Sequence, residues 1–306
     1  MSLQVVFLGT GGSLPTIKRS LPAIALRRKG EIILFDCGEG VQRQMIGAKL
    51  GFSKKMKVFI THMHGDHVLG LPGLIQTMSL LDRTKVLEIY GPAGLEDFIE
   101  AMEKTVRFTL TFPLEVAEVE REGLICEETE YEMHAAWTDH SVPGLAYGFI
   151  EKPRPGKFYP DKVKALGVPE GVLWAKLQHG ERIKVKGKAV EPEDVMGPPR
   201  PGRKIVYTGD SRPCRGLVKL AEKADLLIHD CTFDDDLAER AEEDGHSTPS
   251  QAAQTAKKAG AERLILTHIS ARYKTTNKLM KQAKKAFRNV NVAEDFMEIS
   301  LPLPSS

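Results

Sequence analysis

Four side chains of the kind that bind metals fall within six residues: His62, His64, Asp66 and His67, in the run His62-Met63-His64-Gly65-Asp66-His67. Imidazole nitrogen and carboxylate oxygen are the donors that a borderline ion such as zinc takes. The two-residue step lets His62 and His64 reach one ion, and the turn that Gly65 permits lets Asp66 and His67 face a second. Further ligand-type residues follow short apolar runs. Asp210 comes after Ile205-Val206-Tyr207, His268 comes after Leu264-Ile265-Leu266, and His140 closes the run from Tyr131 to Asp139. The two oxygens of one carboxylate can each hold an ion, with the ions ~3.5 to 4 Å apart, and Asp210 is the candidate bridge. Such a pair makes a nucleophile at neutral pH, so a dinuclear hydrolase is expected, and for phosphodiester cleavage it would also stabilise charge on the phosphate oxygens. A departing ribose oxygen still needs a proton. His229-Asp230, after Leu226-Leu227-Ile228, and His246, in Gly245-His246-Ser247-Thr248, offer a carboxylate and an imidazole for that general acid step.

What must position these residues is a set of strands. Apolar runs rich in branched and aromatic residues occur at Val5–Leu8, Ala23–Leu26, Ile32–Phe35 and Val58–Ile60, and again at 205–207, 226–228 and 264–266. Helical spacing is found at 69–81, 95–104, 215–223, 249–259 and 277–287, and Ser247-Thr248-Pro249 gives one of these a hydroxyl cap and a first-turn proline. A lone histidine is usually a core or surface residue. Several at the ends of strands that share a sheet edge make a site. Gly9-Thr10-Gly11-Gly12 is not a dinucleotide fingerprint, because position 14 is leucine and no acidic partner follows about 20 residues on. It reads instead as a tight turn that allows close backbone approach.

With 306 residues and 42% hydrophobic content the chain can build a substantial core. Its 43 basic and 41 acidic side chains leave a net charge of +2, so the whole molecule has no strong field for nucleic acid, and any basic surface is local. One such stretch exists. From Lys152 to about Gly202 the chain is rich in proline and reads as an inserted arm, and Lys152 to Lys188 carries ten basic residues, Lys186 among them, against three acidic ones. On charge alone it is either a solvated loop or a polyanion contact. Cys37, Cys126, Cys214 and Cys231 lie far apart with no C-x-x-C pair, which points away from a disulfide framework and toward the cytoplasm. No apolar stretch approaches the ~20 residues of a membrane span.

The run from His62 to His67 is the H-x-H-x-D-H signature of the metallo-β-lactamase superfamily, and within it the sequence resembles the tRNase Z family, whose members remove 3′ trailers from precursor tRNA. The likeness extends over nearly the whole chain. It includes Phe7-Leu8-Gly9-Thr10-Gly11-Gly12-Ser13-Leu14-Pro15, Phe35-Asp36-Cys37-Gly38-Glu39-Gly40, Asp139-His140-Ser141-Val142-Pro143, Tyr207-Thr208-Gly209-Asp210-Ser211-Arg212-Pro213, the His246-Ser247-Thr248 stretch and Leu266-Thr267-His268. The resemblance implies an α/β (α+β) chain forming a four-layer αββα sandwich, a single domain over 1–306 with a flexible arm inserted at 152–202, and a homodimer. It implies two Zn2+ per subunit, one on His62, His64, His140 and Asp210, the other on Asp66, His67, Asp210 and His268. Asp66 would accept a proton from the attacking water, and His246, helped by Asp230, would donate one to the leaving group. The arm would grip precursor tRNA, with Lys152, Arg154, Lys157, Lys176 and Arg182 as the expected contacts. Three positions depart from the family pattern: Gly171-Val172 stands where a Gly-Pro pair is usual, Asp230 where glutamate is common, and Ser20 where asparagine is common. Two rival readings are a dinuclear hydrolase of small esters or diesters and an RNA-binding homologue that does not cut.

Overall fold

The computed structural model describes residues 3–185 and 187–304, so Lys186 of the basic run lies outside the described residues. Two compact units divide the chain, one made of Met1–Ile150 and Lys204–Pro302, the other of Glu151–Arg203 with Leu303–Ser306.

The first unit is built on two seven-stranded sheets. In spatial order the first sheet runs Glu298–Leu301, Leu3–Gly9, Ala23–Arg28, Glu31–Phe35, Lys55–Phe59, Leu87–Gly91, Leu114–Glu118. The second runs Val290–Val292, Leu264–Thr267, Leu226–Asp230, Lys204–Tyr207, Leu145–Glu151, Tyr131–Trp137, Gly123–Glu127. The strands read as continuous apolar runs because both faces of each sheet are covered. Val5 and Phe7 join Phe35, Tyr147, Ile205 and Tyr207 in the core between the sheets. Val6 and Leu8, one step out of phase, pack with Leu71, Leu74 and Met78 of the helix Gly70–Leu80 on the outer face of the first sheet. Val206, Leu227 and Leu264 do the same on the outer face of the second, against Ala252, Ala253 and Ala256 of the helix Pro249–Ala259. The layers are therefore helix, sheet, sheet, helix, the metallo-β-lactamase sandwich.

Local signals set the ends of these elements. At Pro249–Ala259 the Thr248 hydroxyl accepts from the Gln251 N–H, the Gln251 side chain accepts from the Thr248 N–H, and Gly260 ends the helix at φ 64°. The helix that begins at Arg215 stops at Leu220, shorter than its spacing suggests, and Lys223 turns left-handed at φ 52°. Leu114–Glu118 escaped notice in the sequence because an edge strand, half exposed and carrying two glutamates, lacks an apolar run.

The second unit has its own small core of Val163, Val168, Trp174, Leu177, Ile183, Val190 and Val195. Helices Pro160–Ala165 and Val172–Gln178, a hairpin of Ile183–Val185 with Lys188–Val190, and helix Pro192–Val195 carry it. The prolines that suggest a bare loop instead start helices at Pro160 and Pro192. Arg203, 2% exposed, lies 2.7 Å from Glu151 Oε1 where the two ends of the segment meet.

Candidate metal centre

Parallel pairing aligns the carboxyl ends of Glu31–Phe35 and Lys55–Phe59 in one sheet, and of Lys204–Tyr207, Leu226–Asp230 and Leu264–Thr267 in the other. Open α/β sheets bind ligands at such ends. His62 and His64 leave the first sheet there, and the one-turn helix Gly65–Val68 carries Asp66 and His67. Gly209 precedes Asp210 at φ 60°, and a Cβ there would lie 2.7 Å from Thr61 Cβ, so only glycine lets the chain pass. His268 and Asp36 hold left-handed backbones at φ 58° and 56°, a conformation uncommon outside glycine that aspartate and histidine adopt more readily than most residues. Gly12 lies beneath the His268 ring, where an added Cβ would come within 2.5 Å of Nδ1. That contact explains the glycine at position 12.

Every ligand candidate singled out in the sequence arrives in one cluster. His62 Nε2 and His140 Nε2 lie 3.0 and 3.2 Å from His64 Nδ1, and His62 Nε2 lies 3.7 Å from Asp210 Oδ2. At the same oxygen, His67 Nε2 and His268 Nε2 are each 3.3 Å from Asp210 Oδ2, and 3.6 and 3.3 Å from Asp66 Oδ2. The opposite nitrogen of four of these five rings is occupied. His67 Nδ1 bonds Asp36 Oδ2 at 2.7 Å, His140 Nδ1 bonds the Gly245 carbonyl at 2.7 Å, His268 Nδ1 bonds Thr232 Oγ1 at 2.7 Å, and His62 Nδ1 lies 3.0 Å from Thr61 Oγ1. Hydrogen bonds of this kind fix the tautomer that turns an Nε2 lone pair toward a metal. Asp210 Oδ1 is buried and has no hydrogen-bond partner in the protein. A buried carboxylate oxygen left without a donor, among imidazole nitrogens and a second carboxylate, fits a cation-binding role.

Comparison with known proteins agrees with this geometry. A profile of the beta-lactamase superfamily domain matches residues 169–269, and one of the Anti-Pycsar protein Apyc1 matches residues 3–111. The Ribonuclease Z of Methanosarcina acetivorans is 50% identical over 98% of both chains, and that of Methanothermobacter thermautotrophicus is 46% identical over 98% of this chain and 97% of its own. The crystal structure of human tRNase Z, short form, is 33% identical at a TM-score of 0.72, covering 98% of this chain and 100% of that one. The chain belongs to the ribonuclease Z family.

In this ribonuclease Z chain, charge balance explains the direction of each titration. Burial pushes His62 well below the ordinary histidine range and also lowers His64 and His140, which keeps them neutral donors. Burial acts the same way on His67, but the charges of Asp210 and Asp36 overcome it and raise that ring well above its usual value. Burial opposes ionisation of Asp210, and the neighbouring His268 and His67 nevertheless hold it well below the carboxylate range. Protons and metal ions therefore compete for the same rings. Beside them stands His246, with Nδ1 3.0 Å from Asp230 Oδ2. Burial disfavours its charge, but Asp230 and then Asp210 prevail and push it up to about 9. Asp230 is wholly buried and also accepts from the Ser211, Thr232 and Ser247 N–H groups.

Two functional neighbours escaped the sequence reading. Asp36 accepts from Thr61, from the Tyr207 hydroxyl at 2.8 Å and from His67; in the sequence it stands directly after the strand Glu31–Phe35 and within the family-like stretch Phe35–Gly40, with no role assigned to it. Thr232, two residues beyond Asp230, is the other. The expected RNA contacts Lys152, Arg154, Lys157, Lys176 and Arg182 all belong to the second unit. There Lys157 lies over the Tyr159 ring at 5.9 Å, Arg154 donates to the Pro201 carbonyl, Lys176 pairs with Glu181, and Arg182 pairs with Glu191.

Proposed function

We propose that the chain is a metal-dependent endoribonuclease that removes the 3′ trailer from precursor tRNA, working with two Zn2+ per subunit. The observation that carries the metal reading is Asp210, one buried carboxylate with Nε2 atoms of His62, His67 and His268 within 3.7 Å of its Oδ2 and no partner on Oδ1. His62, His64, His140 and Asp210 would hold one ion, and Asp66, His67, Asp210 and His268 the other. Bound there, the ions supply Lewis acidity toward the phosphate oxygens and make a water nucleophilic at neutral pH.

The chain's own groups manage the protons. Asp66, kept ionised by the His268 hydrogen bond and the nearby His67 against the effect of burial, takes the proton of the attacking water. His246 gives a proton to the 3′ oxygen of the tRNA as the P–O3′ bond breaks, and Asp230 steadies the imidazolium. The products are a tRNA with a 3′-hydroxyl and a trailer with a 5′-phosphate. The segment 152–202 is read as the tRNA-gripping arm of a single-domain enzyme, supported by its ten basic residues against three acidic ones and by its folded core.

A homodimer is part of the same reading. Ile46 and Leu80, on the outer helices Val41–Gly47 and Gly70–Leu80, are 62% and 78% exposed, apolar surface that a second subunit would cover. A cytoplasmic setting suits the four unpaired cysteines, and among the described residues no helix is long and apolar enough to cross a membrane. The deciding experiment incubates end-labelled precursor tRNA with the wild type, the metal-stripped protein and Asp66→Ala. Cleavage at the 3′ end of the acceptor stem by the wild type alone is expected, and equal cutting by the stripped protein would overturn the reading.

A further inference from the structure

Thr232 is 4% exposed, and its hydroxyl touches three side chains of the centre. Oγ1 lies 2.7 Å from Asp230 Oδ1, 2.7 Å from His268 Nδ1 and 3.1 Å from His246 Nδ1. A hydroxyl has one proton and two lone pairs, and an ionised carboxylate only accepts, so the proton goes to Asp230. The lone pairs are then left to accept from both histidines. His268 must carry its hydrogen on Nδ1, which leaves Nε2 bare toward Asp66 and Asp210. His246 Nδ1–H is shared between Thr232 Oγ1 and Asp230 Oδ2, so Nε2 is the atom free to give a proton.

We propose that Thr232 is a positioning residue that couples the two ends of the reaction, its single hydroxyl orienting both the His268 ligand and, with Asp230, the His246 proton donor. The inference rests on the reading of His246 as donor to the 3′ oxygen. In that step the P–O3′ bond breaks, the water oxygen stays on the trailer phosphorus, and the His246 Nε2 proton ends on O3′. Asp230 does not depend on Thr232 for its place. Three backbone N–H groups, from Ser211, Thr232 and Ser247, hold it and survive any change of the Thr232 side chain. What a valine at 232 would remove is the acceptor for His268 and the second acceptor for His246.

The test uses full-length Thr232→Val and Thr232→Ser on two precursors, one natural and one with sulfur in place of the 3′ oxygen at the cut. A thiolate leaves without protonation, so its release does not need the donor. Thr232→Val is expected to lose about 10- to 100-fold in kcat on the natural precursor, with KM little changed. It should approach wild type on the sulfur precursor, and Thr232→Ser should restore both. Zinc affinity, read by titration, should fall about 10- to 100-fold in Thr232→Val with the loss of the His268 acceptor, so the kinetics are taken at saturating zinc. Undiminished kcat on the natural precursor, an equal loss on both precursors at saturating zinc, or an unchanged zinc affinity would each overturn the proposal. If the valine variant does not fold, Thr232→Ala faces the same three outcomes. Failure of the wild type to cut the natural precursor would instead remove the endonuclease reading itself.

Discussion

In the metal centre His62, His67, Asp210, Asp230 and His268 are each no more than 3% exposed, and hydrogen bonds hold every ring in one orientation. In the inserted unit, which has a core of seven buried residues, Lys157, Lys162, Lys164, Lys176, Lys184 and Lys188 are all exposed. On the proposed function, the contrast follows from what each region has to do. Displacement at phosphorus needs charges fixed before the substrate arrives, because reorganising them during the reaction would raise the barrier. Grip on a polyanion needs only cations presented on a folded support, since counterion release is insensitive to the placement of any one of them. Chemistry and substrate choice should therefore separate under mutation.

The largest effect is expected at Asp210. Asp210→Ala deletes the carboxylate shared by both ligand sets, and if metal binding supplies ~4 kcal/mol of charge stabilisation the loss is about 10³-fold. The fall should be equal for precursor tRNA and for bis(p-nitrophenyl) phosphate, with zinc content reduced in parallel. Deleting residues 155–195 attacks the other region. Cleavage of precursor tRNA should fall by about 10²-fold or more, as expected when many phosphate contacts go at once, while hydrolysis of the small diester stays near wild type. Equal loss on both substrates would end the separation.

The two regions also differed in how much their sequences revealed. The clustering of the ligand candidates was legible because metal chemistry restricts residue type, and because strand ends can be found from apolar runs such as Ile205–Tyr207 ahead of Asp210. Asp36 and Thr232 were not, since an aspartate or threonine that supports a ligand looks like any capping residue until the fold brings it to a ring nitrogen across 31 or 36 positions. The sandwich was legible in its buried parallel strands and obscure at edges such as Leu114–Glu118. In the arm, proline content concealed real helices. Val163, Trp174 and Leu177 are too few to give a period, yet they suffice to close a small core.

A smaller and more selective effect is expected at Asp36. Asp36→Asn keeps the shape but turns an acceptor of the Thr61, Tyr207 and His67 bonds into an amide that must point donors at some of them. Loss of a carboxylate behind a histidine ligand costs about 10- to 100-fold in metal affinity. Zinc titration followed by the activity of each substrate should show the same shift for tRNA and for the small diester. A shift seen only with tRNA would place Asp36 on the recognition side.

The smallest effects belong to single arm residues. Lys176 lies 4.0 Å from Glu181, and both are largely exposed, so the pair holds Lys176 weakly and releases it to a phosphate at little cost. Lys176→Ala should leave kcat at saturating precursor unchanged and raise KM. Its signature is the salt dependence: each phosphate contact removed lowers the slope of log KM against log salt by about 0.7 to 0.9. Lys176→Arg should keep the slope, because the charge rather than the shape makes the contact. Arg182, whose Nε sits 2.9 Å from Glu191, has a closer competitor, so Arg182→Ala should change the slope less than Lys176→Ala does. A full set of arm variants with unchanged slopes would show that the basic surplus of this segment serves solubility, and the division between chemistry and grip would then have to be drawn elsewhere in the chain.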